Sequence, residues 1–459
     1  MEELTLSGRR VTVVGLARSG LAACRVLAER GALVVGTDRS RREALRGDLA
    51  GVEARGVRIE TGGHHAESFL AADLIVISPG VPTDMALLAQ ARLKGIPVWG
   101  EVELASRLTA ARFLGITGTN GKSTTTSLVG AMLEAAGFPV VVAGNIGTAL
   151  CEVVPTLTPS HWVVAELSSF QLETIATFRP QVAALLNLAP DHLDRYADLD
   201  AYYAAKARIF LNQTSDDYAV LNADDPATLA WARGIRSQPR LFSRTRTMGD
   251  GAFVRDGRLI VRRDGRTDAV CEVGELRIQG LHNLENGLAA AAVAAAIGTP
   301  PAAIGTALRR FPGLPHRLEL VAELDGVRYV NDSKGTNVGA VVKSLEGYAG
   351  GVILIAGGKD KGGDFASLAG LLRERAACVL TIGEAAATIE AQIAGVVPIV
   401  AARELETAVR EGARLASGSG GLVLLAPACA SFDQYRNYEE RGEHFRSVVS
   451  KIAREIGAP

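Results

Sequence analysis

Short apolar runs alternate with helical patterns along residues 1–107. The runs VTVVGL, ALVVGTD, ADLIVISPG and GIPVWGE show no regular alternation of apolar and polar positions. Continuous apolar runs are typical of strands that are buried on both faces, as in a parallel sheet covered by crossover helices. We therefore predict a parallel α/β unit for this first region.

The same pattern returns twice further along the chain. A second region opens at RFLGITGTNGKS and continues through VVVAGNIG, HWVVAELSS, VAALLNL and DYAVLNADD. Within it, AFVRDGRLIVRRDG predicts an antiparallel hairpin with an Asp-Gly turn, and GLHNLENGLAAAAVAAAIG predicts a long helix. The third region contains the strand-like runs VRYVND, GVILIAGG, CVLTIG and GLVLLAPA.

Two prolines and a glycine in FPGLPHRLE indicate a domain joint near residue 313. We therefore predict three α/β domains in series. Residues 1–107 form a Rossmann-like domain, residues 108–313 a central P-loop ATPase-type domain, and residues 314–459 a second Rossmann-like domain.

Charge and cysteine content limit the class of protein. The 49 Lys and Arg residues nearly balance the 50 Asp and Glu residues, which argues against a nucleic-acid partner or a membrane surface. Five scattered cysteines without a C-x-x-C motif are typical of small core residues in a reducing compartment. Because the N-terminus has no signal-peptide pattern, we expect a soluble cytoplasmic protein without membrane insertion.

The stretch GITGTNGKSTTTS has the pattern of a phosphate-binding loop. An apolar strand end leads into a glycine-rich turn and then a helix, which presents backbone N–H groups to an anion. Ile116 stands where the full Walker pattern has glycine, so the match is to G-x-x-G-K-S; a chance Gly-Lys-Ser at a helix start is the alternative. The predicted ATP-binding residues here are Gly118, Thr119, Asn120, Gly121, Lys122, Ser123 and Thr124.

A weaker nucleotide-binding pattern lies near the N-terminus. VVGLARSG places Gly15 and Gly20 like the first and third glycines of a dinucleotide fingerprint, but Ala17 replaces the middle one. Asp38 ends the next strand, where a ribose-binding carboxylate is expected. The pattern is compatible with a nucleotide diphosphate, and equally with glycines that serve packing alone.

Two nucleotide-like sites in one chain narrow the chemistry. A hydride-transfer enzyme has no need of a lysine-bearing phosphate loop, and a simple kinase has no need of the first domain. An ATP-driven ligase acting on a nucleotide-bearing substrate uses both.

Six motifs, in chain order, resemble the bacterial Mur ligase family, and within it the members that add D-glutamate. They are TGTNGKST, AELSSFQLE, NLAPDHLDRY, YYAAKARIF, NDSKGTN and APACASFDQYRNYEERG. The resemblance implies that ATP phosphorylates the L-alanine carboxylate of UDP-MurNAc-L-Ala. The amine of D-glutamate then attacks the acyl phosphate, in the synthesis of a cytoplasmic peptidoglycan precursor.

The resemblance also implies two Mg²⁺ ions and a modified lysine. The implied metal ligands are Ser123, Glu166, His192 and Lys206, with Lys206 carbamylated by CO₂ into an anion. Lys122, Glu166, His192, Lys206 and Lys334 are the implied catalytic residues. From the residues alone, Glu166 could instead be a helix cap or a solvated strand end, His192 a polar loop residue, and Lys206 a surface side chain.

Three substrate sites follow from the same resemblance. The implied UDP-substrate residues are Gly15, Leu16, Ala17, Asp38, Arg39, Ser78, Pro79, Gly80, Asn145 and His192. On the adenine and ribose side of ATP they are Asn283, Asn286, Arg317 and Asp332. For D-glutamate they are Thr336, Lys361, Ser431 and Tyr438, with Lys334 meeting the reacting carboxylate.

Several alternatives stay open at the level of sequence. Asn145 could simply form a turn, and the glycine-rich segments of the third region could be solvated loops. Lys359 competes with Lys361 for the glutamate carboxylate, and some relatives carry phenylalanine in place of Tyr438. Competing functions are a sister ligase, a folylpolyglutamate-synthetase-like ligase, or a nicotinamide-dependent oxidoreductase built on residues 11–38. We expect a monomer.

Overall fold

The computed structural model describes residues 5–192, 195–230, 234–278, 280–417 and 421–457. The chain forms two compact units. The first comprises Met1–Leu188, Asp200–Leu276 and Glu285–Arg310, and the second comprises Ala189–Leu199, Arg277–Leu284 and Phe311–Pro459. Three sheets follow one another along the chain, of five, nine and six strands, which confirms the predicted fold class. The boundaries at residues 107 and 313 stay predictions.

The first sheet is fully parallel. Its strands are β1 (Arg10–Val14), β2 (Leu33–Asp38), β3 (Arg58–Thr61), β4 (Leu74–Ile77) and β5 (Val98–Gly100). The accompanying helices are α1 (Arg18–Glu29), α2 (Leu49–Glu53), α3 (Ala66–Leu70), α4 (Ala86–Leu93) and α5 (Glu101–Arg107). In the order β3-β2-β1-β4-β5, the chain adds β2 and β3 on one side of β1 and then β4 and β5 on its other side. The switch point of the sheet therefore lies between β1 and β4. Ligands of open parallel sheets bind at such a switch point, beyond the carboxyl ends of the strands.

The second sheet combines a parallel core with an antiparallel extension. Its strands are β6 (Arg112–Thr117), β7 (Val140–Gly144), β8 (Trp162–Glu166), β9 (Val182–Leu185), β10 (Tyr218–Asn222), β11 (Gln238–Ser243), β12 (Gly251–Arg255), β13 (Arg258–Arg263) and β14 (Arg266–Glu272), in the order β14-β13-β12-β11-β10-β9-β6-β8-β7. Asp256 and Gly257 join β12 to β13 with φ angles of 52° and 73°. Two positive φ angles fit a tight hairpin turn, so the predicted Asp-Gly hairpin is confirmed.

The described residues of this middle part of the sequence form the helices α6 (Lys122–Ala135), α7 (Leu150–Val153), α8 (Ser169–Leu172), α9 (Leu199–Ala207), α10 (Pro226–Ala230), α11 (Leu281–Ala296) and α12 (Pro301–Arg310). Helix α11 is the predicted alanine-rich helix, and residues 288–296 of it are all buried. In the part of the chain that the structure describes, no helix is both long and apolar enough to cross a membrane.

The third sheet lies in the second unit. Its strands are β15 (Glu319–Leu324), β16 (Val327–Asn331), β17 (Val352–Gly357), β18 (Ala376–Ile382), β19 (Ile399–Arg403) and β20 (Leu422–Ala428). The helices are α13 (Val338–Glu346), α14 (Ala369–Arg375), α15 (Ala386–Gln392), α16 (Leu405–Ala416) and α17 (Tyr438–Glu455). The order is β15-β16-β20-β17-β18-β19, with β15 antiparallel at one edge.

All five cysteines are unpaired and buried. Burial raises the pKa of the Cys24 and Cys429 thiols to about 12, so both stay protonated and unreactive at neutral pH. The prediction that the cysteines are small core residues is confirmed.

Helix α5 carries two buried carboxylates that join the first sheet to the second. Glu103 accepts hydrogen bonds from the backbone N–H groups of Ala176, Thr177 and Phe178 at 2.8–3.0 Å. Burial acts to raise the pKa of Glu103, but these bonds and the Thr177 hydroxyl hold it below its ordinary value. Glu101 accepts the Cys151 N–H at 2.8 Å, and burial raises its pKa to about 7.

We expect Glu101→Gln to stabilise the protein at alkaline pH. The folded-state pKa lies above the ordinary value of 4.5, so the stability linked to the bound proton is complete below 4.5 and is lost as the pH rises through about 7. Glutamine keeps the acceptor for Cys151 without a charge. Thermal unfolding should therefore give a higher Tm than the wild type at pH 8 and an equal Tm at pH 4.5; an equal difference at both pH values would contradict this.

Candidate active site

The segment between β6 and α6 forms the predicted phosphate loop. Gly118 and Gly121 have φ angles of 152° and 81°, a region of backbone conformation that favours glycine. A side chain at Gly121 would bring Cβ to 2.2 Å from Oδ1 of Asn286, so it would have to displace the Asn286 side chain. The Lys122 ammonium donates to the carbonyls of Gly118 and Thr119 at 2.9 and 2.7 Å. Loop and lysine thus form one compact cationic turn at a helix N-terminus.

Asn187, which the sequence analysis missed, holds this loop in place. Its carbonyl accepts the Thr119 N–H at 3.0 Å, and its side-chain oxygen accepts the Asn120 N–H at 2.8 Å. Its side-chain nitrogen donates back to the Asn120 carbonyl at 3.1 Å. Because these two N–H groups are directed at Asn187, a contact of Thr119 or Asn120 with ATP would have to use other atoms.

Lys206 lies inside the protein, beside the same loop. Its side chain on α9 is 2% exposed, which contradicts the surface-lysine alternative. The ammonium donates to the Gly118 carbonyl at 2.8 Å and lies 4.6 Å from the centre of the Tyr202 ring. Lys122 and Lys206 therefore share one carbonyl acceptor. Burial and a neighbouring cation both favour the neutral amine of a lysine, which is the form that reacts with CO₂.

Glu166 ends β8, directly beside β6 in the sheet. It is 2% exposed, and the cap of the following helix is Ser168, so the solvated-end and helix-cap alternatives for Glu166 are wrong. One carboxylate oxygen accepts the Asn145 side-chain N–H at 2.8 Å. Within the described residues, the other oxygen is buried without a hydrogen-bond partner. A buried carboxylate oxygen of this kind is suited to a cation.

The donor set around Glu166 fits Mg²⁺ held jointly with a phosphate. Ser123 is the second residue of α6, the helix after the phosphate loop, and is 3% exposed. No group of three or more His, Cys, Asp and Glu side chains with metal-binding spacing occurs among the described residues. Mg²⁺ typically binds one or two carboxylates and completes its shell with substrate phosphates and waters, so a larger protein cage is not required.

Arg18 is a second residue that the sequence analysis missed. It begins α1 in the first sheet's domain, and its guanidinium donates to the Gly147 carbonyl and, at 3.5 Å, to the Gly144 carbonyl. Those two glycines flank Asn145, whose backbone and side chain both hydrogen bond to Glu166. Arg18 therefore connects the N-terminal glycine turn to the turn that carries Asn145. In the sequence, the signal that could have pointed to Arg18 was its position as a cation within the glycine-rich segment VVGLARSG.

At the N-terminal switch point, the structure brings four predicted residues together. The Ser78 hydroxyl donates to the Gly15 carbonyl at 2.8 Å, and Asp38 accepts the Leu16 N–H at 2.8 Å. A side chain at Gly20 would place Cβ 1.8 Å from the Gly15 carbonyl oxygen, so this glycine serves close packing. Ala17, Arg39 and Gly80 are exposed, and Pro79 is half-buried.

His192 and Lys361 both lie beside Asp191 in the second unit. His192 has a φ of 56°, and its N–H donates to the Asp191 carboxylate at 2.9 Å. The Lys361 ammonium lies 3.6 Å from the same carboxylate, which also accepts from Asn337 at 3.0 Å. Burial acts to raise the pKa of Asp191, but Lys361 and His192 hold it below its ordinary value. Lys359, the competing candidate, is exposed.

Arg317 lies in a strained segment of the second unit that is hydrogen bonded to Asp332, the residue after β16. His316 and Leu318, on either side of Arg317, have φ angles of 61° and 44°, which are unusual for residues with a side chain. Asp332 accepts the Leu318 N–H at 3.3 Å, and burial raises the pKa of Asp332 to about 6. Strain of this kind persists only where surrounding contacts enforce it, and it concentrates at functional sites.

Asn283 and Asn286 are three residues apart on α11, so they share one face of that helix. Both are 9% exposed, and the Asn286 side-chain oxygen accepts the Thr125 hydroxyl at 3.4 Å. Thr125 belongs to α6, the helix that follows the phosphate loop. Asn286 is therefore adjacent to the loop where ATP is predicted to bind.

The remaining predicted residues of the second unit are Lys334, Thr336, Ser431 and Tyr438. The Lys334 ammonium lies 3.8 Å from the centre of the Tyr438 ring, a cation–π contact through the ring face. Thr336 donates its N–H to the Lys334 carbonyl at 2.8 Å. Ser431 is 2% exposed at the end of the neighbouring turn.

Comparison with known proteins gives three family matches in series. Residues 9–100 match the Mur ligase MurD-like N-terminal domain, residues 116–294 the Mur ligase middle domain, and residues 316–429 the Mur ligase glutamate ligase domain. These matches agree with the resemblance drawn from the six motifs.

Full-length relatives extend this result. The UDP-N-acetylmuramoylalanine–D-glutamate ligase of Acidobacterium capsulatum is 47% identical and covers 97% of each chain. The protein of the same name from Koribacter versatilis is 46% identical over 98% of this chain and 99% of its own. The MurF ligase from Thermotoga maritima, solved in complex with ADP, has a TM-score of 0.59 at 16% identity over 98% and 96% of the two chains, which shows the shared fold. The chain belongs to the Mur ligase family.

Proposed function

We propose that this protein is an ATP-dependent ligase that adds D-glutamate to UDP-N-acetylmuramoyl-L-alanine in peptidoglycan precursor synthesis. The products are ADP, phosphate and UDP-MurNAc-L-Ala-D-Glu. The observation that carries the proposal is the 47% identity, over nearly the whole of both chains, to a ligase named for these substrates. The buried lysine-bearing phosphate loop supports the use of ATP.

On this proposal, the residues of the first unit orient ATP and the acceptor carboxylate. Lys122 and the loop glycines hold the β- and γ-phosphates, and the buried oxygen of Glu166 together with Ser123 holds Mg²⁺. When bound, Mg²⁺ neutralises phosphate charge that would otherwise oppose attack by a carboxylate. Asn145 and Arg18 keep Glu166 and the neighbouring turn in place, while the Gly15 and Ser78 turns receive the UDP part.

The residues of the second unit receive the amino acid. Lys334 stabilises the tetrahedral intermediate that forms when the amine of D-glutamate attacks the acyl phosphate. Lys361 binds the side-chain carboxylate, and Ser431, Thr336 and the Tyr438 ring complete the site. Arg317 and Asp332 contribute to the ATP site. We also propose a second Mg²⁺ with His192 and carbamylated Lys206 as ligands.

The reaction is tested with a panel of amino acids. Phosphate release with ATP and UDP-MurNAc-L-Ala should occur with D-glutamate and stay at background with L-alanine, L-lysine and meso-diaminopimelate. Release with one of those instead would identify a sister ligase. No release with any of them, together with binding of NAD, would favour the oxidoreductase alternative. Release should also disappear when UDP-MurNAc-L-Ala is replaced by a folate.

We expect Lys361→Ala to weaken D-glutamate binding selectively. A charged hydrogen-bonding group lost from a partly buried site costs about 1.5–3 kcal/mol, or about ten- to hundredfold in the KM for D-glutamate. The KM for ATP should not change. Lys359→Ala is the matched control, because Lys359 is exposed two residues away. A larger effect of Lys359→Ala on the KM for D-glutamate would assign the carboxylate contact to Lys359 instead.

The cellular setting belongs to the same proposal. ATP and UDP-linked sugars are intracellular metabolites, so we propose that the reaction takes place in the cytoplasm. The monomeric state stays a prediction, and sedimentation equilibrium of the purified protein measures it directly.

A further inference from the structure

Arg441 is a buried guanidinium whose hydrogen bonds to the described residues reach no carboxylate. It lies on the first turn of α17 and is 1% exposed. Its hydrogen bonds go to neutral acceptors: the hydroxyl of Ser333 at 3.0 Å and the carbonyls of Ser333, Cys429 and Ala430 at 2.9, 3.2 and 3.3 Å. Arg446 on the same helix, by contrast, pairs with Glu443 at 2.6 Å.

These acceptors lie on turns at one edge of the third sheet. Ser333 follows β16, while Cys429 and Ala430 follow β20, and the two strands are parallel neighbours. The turn after β17, the next neighbour, is joined to the same group, because the Lys359 N–H donates to the Ala430 carbonyl at 2.8 Å. Arg441 thus contacts two turns directly and reaches the third through Ala430.

Close packing and backbone strain show that Arg441 and the turns it contacts are held tightly together. A side chain at Gly358 would bring Cβ to 2.3 Å from the Ala430 carbonyl oxygen and 3.0 Å from Nη1 of Arg441. Ala428, at the end of β20, has a φ of 62°, which is uncommon for a residue with a side chain. Its N–H donates to the Gly335 carbonyl at 2.9 Å, which adds a further link between the turns after β16 and β20.

The three turns carry the residues proposed to receive D-glutamate. Lys334 and Thr336 follow β16, Lys361 follows β17, and Ser431 follows β20. A planar guanidinium with five N–H donors in a fixed geometry can hold several carbonyls at once, which an ammonium on a flexible stem cannot do. Burial lowers the pKa of Arg441 only to about 10, so the group stays charged at neutral pH.

We propose that Arg441 is a positioning residue for the amino-acid substrate: it sets the relative placement of the turns after β16, β17 and β20. This inference rests on the proposed function, since it assigns the amino-acid site to these turns.

The test is steady-state kinetics of Arg441→Lys, which keeps the charge and loses the planar fork. We expect the KM for D-glutamate to rise by about tenfold or more, because at least one hydrogen bond of a charged group is lost. The KM values for ATP and UDP-MurNAc-L-Ala should stay within about twofold of the wild type. The preference for D- over L-glutamate should fall as well. Arg454→Lys, exposed on the same helix, is the matched control and should change none of these.

A purely structural role predicts a different result. Lower kcat and lower Tm with an unchanged KM for D-glutamate and unchanged stereochemical preference would overturn the proposal. If Arg441→Lys does not fold, Ser333→Ala removes one of its acceptors and should give a smaller rise in the same KM; no rise would also overturn it. Failure of the wild type to release phosphate with D-glutamate would instead count against the proposed function.

Discussion

Lys122→Ala should lower the rate of ATP-dependent phosphate release by at least about a hundredfold, the usual cost of losing one preorganised group that stabilises transferring charge. Lys122 closes the phosphate loop through its bonds to Gly118 and Thr119, and its ammonium is the charge available to the β- and γ-phosphates. Binding of UDP-MurNAc-L-Ala, measured by calorimetry without ATP, should be nearly unchanged. The proposed UDP site is built on the turns after β1 and β4, which belong to a different sheet.

Lys94→Ala serves as the control for this experiment, because Lys94 is an exposed lysine at the end of α4. It should leave both phosphate release and UDP-substrate binding at wild-type levels. A loss of UDP-substrate affinity in Lys122→Ala as large as its loss of activity would contradict the assignment of two separate nucleotide sites.

Lys206→Arg should be nearly inactive, although it retains the positive charge and most of the stem. Lys206 is enclosed beside Gly118 and Tyr202, where an arginine cannot be carbamylated and is too large for the same position. A carbamate on Lys206 would keep one N–H for the Gly118 carbonyl and would turn a cation into an oxygen ligand for Mg²⁺. Wild-type activity should fall in CO₂-depleted buffer and recover with bicarbonate, most clearly at low Mg²⁺ concentration.

A spectroscopic measurement separates carbamylation from simple packing. Carbon-13-labelled bicarbonate should give a carbamate signal in the NMR spectrum of the wild type, and Lys206→Arg should lack it. Lys343→Arg, a half-exposed lysine of the second unit, is the control and should keep the signal. Normal turnover of Lys206→Arg, or an unchanged spectrum between wild type and variant, would show that Lys206 acts only as a buried hydrogen-bond donor.

The pattern of apolar residues predicted most central strands and the edge strands β5 and β7, but it missed the interior strand β11 and the edge strands β3, β14, β15 and β19. Strands β6, β17 and β20 are continuous apolar runs because neighbours cover them on both sides. The unpredicted strands β3 (RIET) and β19 (IVAAR) are edge strands of their sheets, and most of their residues are half-buried or exposed. An edge strand needs no apolar run, so the apolar pattern does not reveal it. Its formation depends on pairing with a neighbouring strand in the folded sheet.

Local motifs determined the chemistry that this chain can offer. The glycines and lysine of the phosphate loop act through backbone geometry and charge within a few residues. A short stretch of sequence is therefore enough to predict a phosphate-binding loop. The same holds for the Asp-Gly hairpin turn, where the two residues supply both positive φ angles. Order along the chain was then sufficient to predict three α/β domains and to relate the six motifs to one family.

Only the tertiary structure decided which polar side chains are buried and what they contact. Glu166, Lys206 and Arg441 have ordinary surroundings in sequence, and each proves to be at most 2% exposed. Lys206 meets a carbonyl 88 positions away, and Arg441 meets one 108 positions away. Burial of a charge is costly unless such distant groups satisfy it, and that balance is set by packing between elements rather than by any local pattern.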